Sequence, residues 1–133
     1  MSIKAGLQTL LIGEASIGVG NKVFVTFAPQ GVSPDYIVLT RMDEDEYPTF
    51  DGTGTDLKAA SFDIDCKGTT AARAEYLAKR VADFLKDYTG PAGEQTIAAV
   101  ILEGKADDFE ESPDGKDEGK HVVTLDVLIQ FRG

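Results

Sequence analysis

Leu57-Lys-Ala-Ala-Ser-Phe-Asp-Ile-Asp-Cys66 alternates residue by residue: Ala60, Phe62, Ile64 and Cys66 point one way, and Ser61, Asp63 and Asp65 the other. A period of two describes a half-buried strand with one wet face. After Lys67-Gly68 the period changes. Ala74, Leu77, Ala78, Val81, Phe84, Leu85 and Tyr88 fall on the i, i+3, i+4, i+7 ladder of one helix face. Thr69 or Thr70 can cap this helix, without the Glu or Gln three residues on that a capping box needs. Thr89-Gly90-Pro91 is expected to stop it, with Gly90 in the left-handed conformation beyond the last turn. An amphipathic helix needs an apolar surface to cover, and the Phe62–Ile64–Cys66 row is the nearest. Leu57–Tyr88 is therefore the centre of a helix-on-sheet domain, with Phe62, Ile64, Leu77, Val81, Phe84 and Leu85 expected in one core.

Outward toward the N-terminus, Asp43-Glu-Asp-Glu-Tyr-Pro-Thr-Phe50 opens an acidic, then turn-rich stretch to Thr55, expected as an exposed loop or an extended hairpin arm. Before it, Val23–Phe27 and Tyr36–Met42 read as two strands whose short Pro/Gly connection predicts an antiparallel hairpin. Ile3, Leu7, Leu10 and Leu11 give Ser2–Ile12 helical spacing, with Ser2 a possible cap and Gly6 an unfavourable interior residue by about 1 kcal/mol. Gly13, Gly18 and Gly20 mark a link that Ile17 and Val19 can pin to the core.

Outward toward the C-terminus, Thr96–Leu102 is an apolar strand. Lys105–Lys120 reads as a second acidic loop with seven carboxylates and three lysines, turning at Ser112-Pro-Asp-Gly115. Val123, Leu125, Val127, Ile129 and Phe131 alternate with Thr124, Asp126 and Gln130 in a last strand. The order helix, three strands, helix, two strands predicts an α+β domain over residues 1–133: an antiparallel sheet of four to five strands with two helices on one face. A right-handed crossover between the third and fourth strands is the alternative connection.

A chain of 133 residues with 42% hydrophobic content suits one packed domain. Its apolar runs are far short of a membrane span, and no signal core follows Met1, so a cytoplasmic product is expected. A net charge of −10 opposes any grip on phosphates. The single cysteine, Cys66, forms no internal disulfide and sits on the buried strand face, so core packing describes it better than nucleophilic chemistry.

Catalytic constellations are sparse. His121 alone supplies an imidazole, at the start of the last strand beside an acidic turn, where a solvated strand-end role is the plainer reading. Asp63 and Asp65 share a wet strand face, as carboxylates on such faces commonly do. Neither acidic stretch has the spacing of a calcium loop, and no metal or cofactor is expected. Binding remains. Tyr47, Phe50 and Phe109 are aromatics inside hydrophilic stretches, which with Asp43, Glu44, Asp45 and Glu46 makes them candidates for protein contacts.

Leu7–Leu11, Val23-Phe with Ala28-Pro-Gln-Gly before Pro34-Asp-Tyr-Ile-Val-Leu, Phe62–Cys66, Thr70-Ala-Ala-Arg-Ala-Glu-Tyr-Leu-Ala, Val81-Ala-Asp-Phe-Leu and Val123–Phe131 follow one another with a characteristic order and spacing. In this the chain resembles the tail terminator, or tail-completion, family of long-tailed bacteriophages and gene transfer agents. The resemblance covers nearly the whole chain; it departs from the family at Asp35 and in the weight of the acidic stretches. It implies a non-enzymatic virion protein, made in the host cytoplasm, that forms a homohexameric ring at the tail–neck junction. Such a ring caps the tail tube and meets the head connector, with DNA passing through unread. The competing readings are a neck or head-completion protein of the same particle, and a small α+β enzyme or ligand-binding domain using His121 and the acidic stretches.

Overall fold

The computed structural model describes residues 3–14, 17–20, 22–26, 35–46, 57–110 and 120–132. Its elements are α1 (Ile3–Ile12), β1 (Val23–Val25), β2 (Tyr36–Glu46), β3 (Leu57–Gly68), α2 (Ala71–Leu85), β4 (Gly90–Ala92), β5 (Gln95–Glu110) and β6 (Lys120–Arg132). The fold is α+β, with one curled six-stranded sheet in the order β1-β2-β3-β6-β5-β4.

The alternating strand that opened the sequence reading lies inside this sheet, flanked by β2 and β6 in antiparallel register. Ala60, Phe62, Ile64 and Cys66 are buried on one face and continue across β6 as Val123, Leu125, Val127, Ile129 and Phe131. Helix α2 packs on both strands. Thr70 caps it, its hydroxyl accepting from the Arg73 amide at 3.1 Å. Ala74, Leu77, Ala78, Val81 and Leu85 are buried beneath it, as their spacing requires.

Three expectations change at its C-terminal end. The helix stops at Leu85 with Lys86 still right-handed, so Gly90 is not its terminator. Gly90 instead has φ 133° and opens β4, a three-residue edge strand whose Pro91 needs no ladder donor. Phe84 and Tyr88 sit at the rim of the core and stack on each other at 5.5 Å, half-buried.

The expected hairpin of the first two strands is also corrected. β1 runs parallel to β2, pairing Val23 with Ile37 and Val25 with Leu39. Thr26 takes a φ of 73° and turns the chain out of the strand. The sheet is therefore mixed rather than wholly antiparallel. The carboxylates Asp43–Glu46 extend β2, past a register shift between Arg41 and Asp43, and pair with Lys58–Ser61. Likewise Lys105–Glu110 belong to β5 rather than to a loop. β5 runs parallel to β3 with β6 between them, so the β3–α2–β5 crossover exists but spans a strand.

Helix α1 explains the curl. It packs against both edge strands, β1 and β4, and so bridges the two ends of the sheet. Gln8 Nε2 donates to the Val23 carbonyl at 2.7 Å. Gly6 lies so close to β4 that a Cβ there would stand 2.3 Å from the Ala92 carbonyl oxygen. The glycine that weakens the helix by propensity is what lets it dock. Ile3, Leu7, Leu11, Ile17 and Val19 join Leu77, Val81 and the inner sheet face in one continuous core.

Candidate functional site

The strand register fixes where the charged stretches lie. At one end of the sheet Leu57 pairs with Arg132 and Lys58 with Glu46; at the other Gly68 pairs with His121 and Phe109 with His121. The two acidic strand ends, Asp43–Glu46 and Asp107–Glu110, therefore sit at opposite ends of the molecule. β1 pairs only with Ile37–Leu39, and no second neighbour is described along β2 from Thr40 to Glu46. Tyr47 and Phe50 lie outside the described residues.

Phe109 is 47% exposed and stacks on His121, with ring centroids 4.9 Å apart. Among the described residues no group of three or more His, Cys, Asp or Glu is placed to hold a metal. Cys66 is fully buried, and burial pushes its thiol well above the usual range, away from the reactive thiolate. On the wet face Asp63 faces Asp126 across β3 and β6. Partial burial, then repulsion from Asp126 and Asp65, raises the Asp63 carboxyl above its ordinary pKa. Asp65 accepts from the Thr124 hydroxyl at 2.7 Å.

A feature outside the sequence-derived candidates stands on α2. A helix about 10 Å wide spans two strands spaced 4.8 Å apart, and α2 uses that width on β3 and β6. β5 is left uncovered on that face, where Leu102, paired with the buried Val127, is 40% exposed. Between β5 and the flank of α2 runs an open groove of about 510 Å³, lined by Ala72, Glu75, Tyr76, Lys79, Lys105 and Leu125 among others. Lys105 reaches across it to Glu75 at 2.5 Å, and that hydrogen bond holds the lysine above its ordinary pKa.

On the solvent face of α2, Tyr76 is 47% exposed and lies between two guanidinium groups. Arg73 stands 5.6 Å and Arg80 4.8 Å from its ring centre, and Arg80 donates to its hydroxyl at 2.7 Å. Arg73 also binds Asp35 at 2.6 Å, tying the start of β2 to the first turn of α2. The signal for this stripe was present in the sequence as cations three before and four after a tyrosine on a helix's polar face. The Asp35–Arg73 pair, 38 residues apart, had no such signal.

No family model matches the chain, and no curated protein matches it significantly. A chain of the solved virion of a native gene transfer agent (GTA) particle shares its fold, with a TM-score of 0.64 at 18% identity. The match covers 98% of this chain and 94% of that one. At this identity the likeness is one of fold. None of the described helices is long and apolar enough to cross a membrane.

Proposed function

We propose that this chain is a structural subunit of a tailed, phage-like particle that caps the finished tail tube and joins it to the head connector. The carrying observation is the agreement of fold over nearly the full length of both chains with a component of a gene transfer agent virion. The ordered motifs of the sequence, which resemble tail terminators, select the tail end among virion roles. In this reading six copies close into a ring. The subunit is made in the host cytoplasm and resides in the virion at the tail–neck junction, touching tube protein on one side and connector on the other. Its net charge of −10 supports passage of DNA without capture, because a basic wall would hold phosphates. His121 stacked on Phe109 and a buried Cys66 support a role without catalysis.

Deleting the gene from the producing genome tests the role. Overlong tubes and heads without tails are expected, because nothing then stops tube growth. Tubes of normal length beside unattached heads would instead assign the chain to the neck or head-completion machinery. Normal, joined particles would overturn both.

A further inference from the structure

We infer that the bare edge of β5 pairs with β5 of a second copy of this chain, antiparallel about a two-fold axis, so that the two sheets run on as one. This does not rest on the ring reading above. A two-fold contact closes after two copies, so it holds free subunits in pairs and is separate from any contact around a ring.

β4 covers β5 only at Gln95, Thr96 and Ile97. Beyond it, from Ala98 to Glu110, β5 has β6 on one side and no second neighbour among the described residues. Its faces are bare as well: each residue from Ile101 to Phe109 is exposed, Ile101 at 44% and Phe109 at 47%. The Phe109 amide donates to the carboxylate of Asp108 beside it at 2.7 Å, turned to a neighbouring side chain rather than across a ladder. Backbone donors and acceptors along such an edge are a template for another strand. Charge, the usual protection, is confined to one half. Glu103, Lys105, Asp107 and Asp108 follow the uncharged Ala98-Ala-Val-Ile-Leu102.

The register shift in β5 fixes how a second copy fits. Before the shift between Leu102 and Gly104, Val100 and Leu102 lie opposite Ile129 and Val127 and share their α2-side face. After it, Lys105 and Asp107 do so, opposite Leu125 and Val123. The alternation is therefore reversed between the two halves of the strand, and paired strands must present the same face at each step. A second β5 running antiparallel carries the same reversal at the same place. With Leu102 opposite Lys105, Val100 opposite Asp107 and Ile101 opposite Ala106, the faces agree on both sides of the axis. The ladder runs from Ala98 to Phe109, roughly 40 Å at about 3.4 Å per residue, and stops where β4 begins. Charge favours the same arrangement. Asp107 and Asp108 meet Val100 and Ala99, and Glu103 meets Gly104, whereas a parallel pair in register would set each carboxylate against its own copy. Phe109 comes diagonal to Val100 of the second copy, and the aliphatic stem of Lys105 crosses its Leu102.

Ile101 and Ala106 are exposed on the sheet face away from α2, so substitutions there spare the core. Wild type is expected to show a concentration-dependent dimer in sedimentation velocity. Ile101→Glu, checked for folding by circular dichroism, should weaken it on the order of tenfold, because an unpaired carboxylate is then covered. Adding Ala106→Lys to the same chain should restore the dimer, each new carboxylate meeting an ammonium of the other copy. An equimolar mixture of Ile101→Cys and Ala106→Cys chains should form a mixed disulfide dimer under mild oxidation, with Cys66 buried out of reach. Ile101→Cys alone should not cross-link, its two copies standing roughly 17 Å apart along the ladder at about 3.4 Å per residue. Wild type that stays monomeric at all concentrations overturns the inference, and so does a folded Ile101→Glu chain that pairs as wild type does. Failed rescue in a folded double variant, or cross-linking by Ile101→Cys alone in place of the mixture, overturns the register and with it the pairing. Wild type that forms rings without dimers, and loses them in Ile101→Glu, assigns the edge to the ring; the two-fold pair then falls while the ring reading stands.

Discussion

Asp63 and Phe84 mark two ways in which a residue's neighbours decide its energetics. Asp63 faces Asp126 across the sheet and its carboxyl titrates above its ordinary value. A folded-state pKa raised above the unfolded one favours the protonated form, so the ionised group lowers stability as pH rises through the folded pKa. Asp63→Asn should therefore raise the melting temperature at pH 7, with the gain shrinking as pH falls below the carboxylate range. A gain unchanged at pH 3 would show that charge is not its cause. Phe62 is fully buried between β2 and β6, so Phe62→Ala should cost about 3–5 kcal/mol in denaturant melts. Phe84, half-buried at the rim with Tyr88, should cost roughly half of that, less than the periodicity alone implies. Equal losses would return Phe84 to the core centre. The helical ladder correctly grouped Phe84 with Leu77 and Val81. It could not tell that Phe84 sits at the rim, where its ring meets Tyr88.

At the scale of elements, the alternation of Ala60–Cys66 and of Val123–Phe131 was legible because each strand has one wet and one dry face. β4 was not, because Gly90-Pro91 carries the same residues as a helix stop and only pairing with Thr96 and Ile97 makes it a strand. The parallel β1–β2 pair escaped for a related reason: direction depends on where the connecting chain travels, which composition does not record. The strand character of Asp43–Glu46 and Asp107–Glu110 was masked by charge, since carboxylates tolerate a strand edge that a propensity reading assigns to loop. Gly6 tests the docking of α1 directly. On an exposed helix Gly→Ala stabilises by about 1 kcal/mol. Here Gly6→Ala should destabilise instead, because the methyl group meets the Ala92 carbonyl. A stabilised variant in thermal melts would mean that α1 does not close the sheet against β4.

At the scale of the whole molecule, the fold separates what the sequence shows only as net charge. Two copies at −10 repel at long range. Association should strengthen as ionic strength rises from about 0.01 M to about 0.15 M and the Debye length contracts from about 30 Å to about 8 Å. Replacing Asp43–Glu46 by Asn and Gln should bring the same association at lower salt. Identical salt profiles for wild type and variant in sedimentation would mean that these carboxylates are a solvated surface without a part in association. The tail role itself is tested most directly by polymerising the particle's tube protein with increasing amounts of this chain and measuring tube lengths by electron microscopy. Growth arrest is predicted, with mean length falling as the chain is added and a ring of density at one tube end. Tubes of unchanged length with bare ends would contradict a capping function.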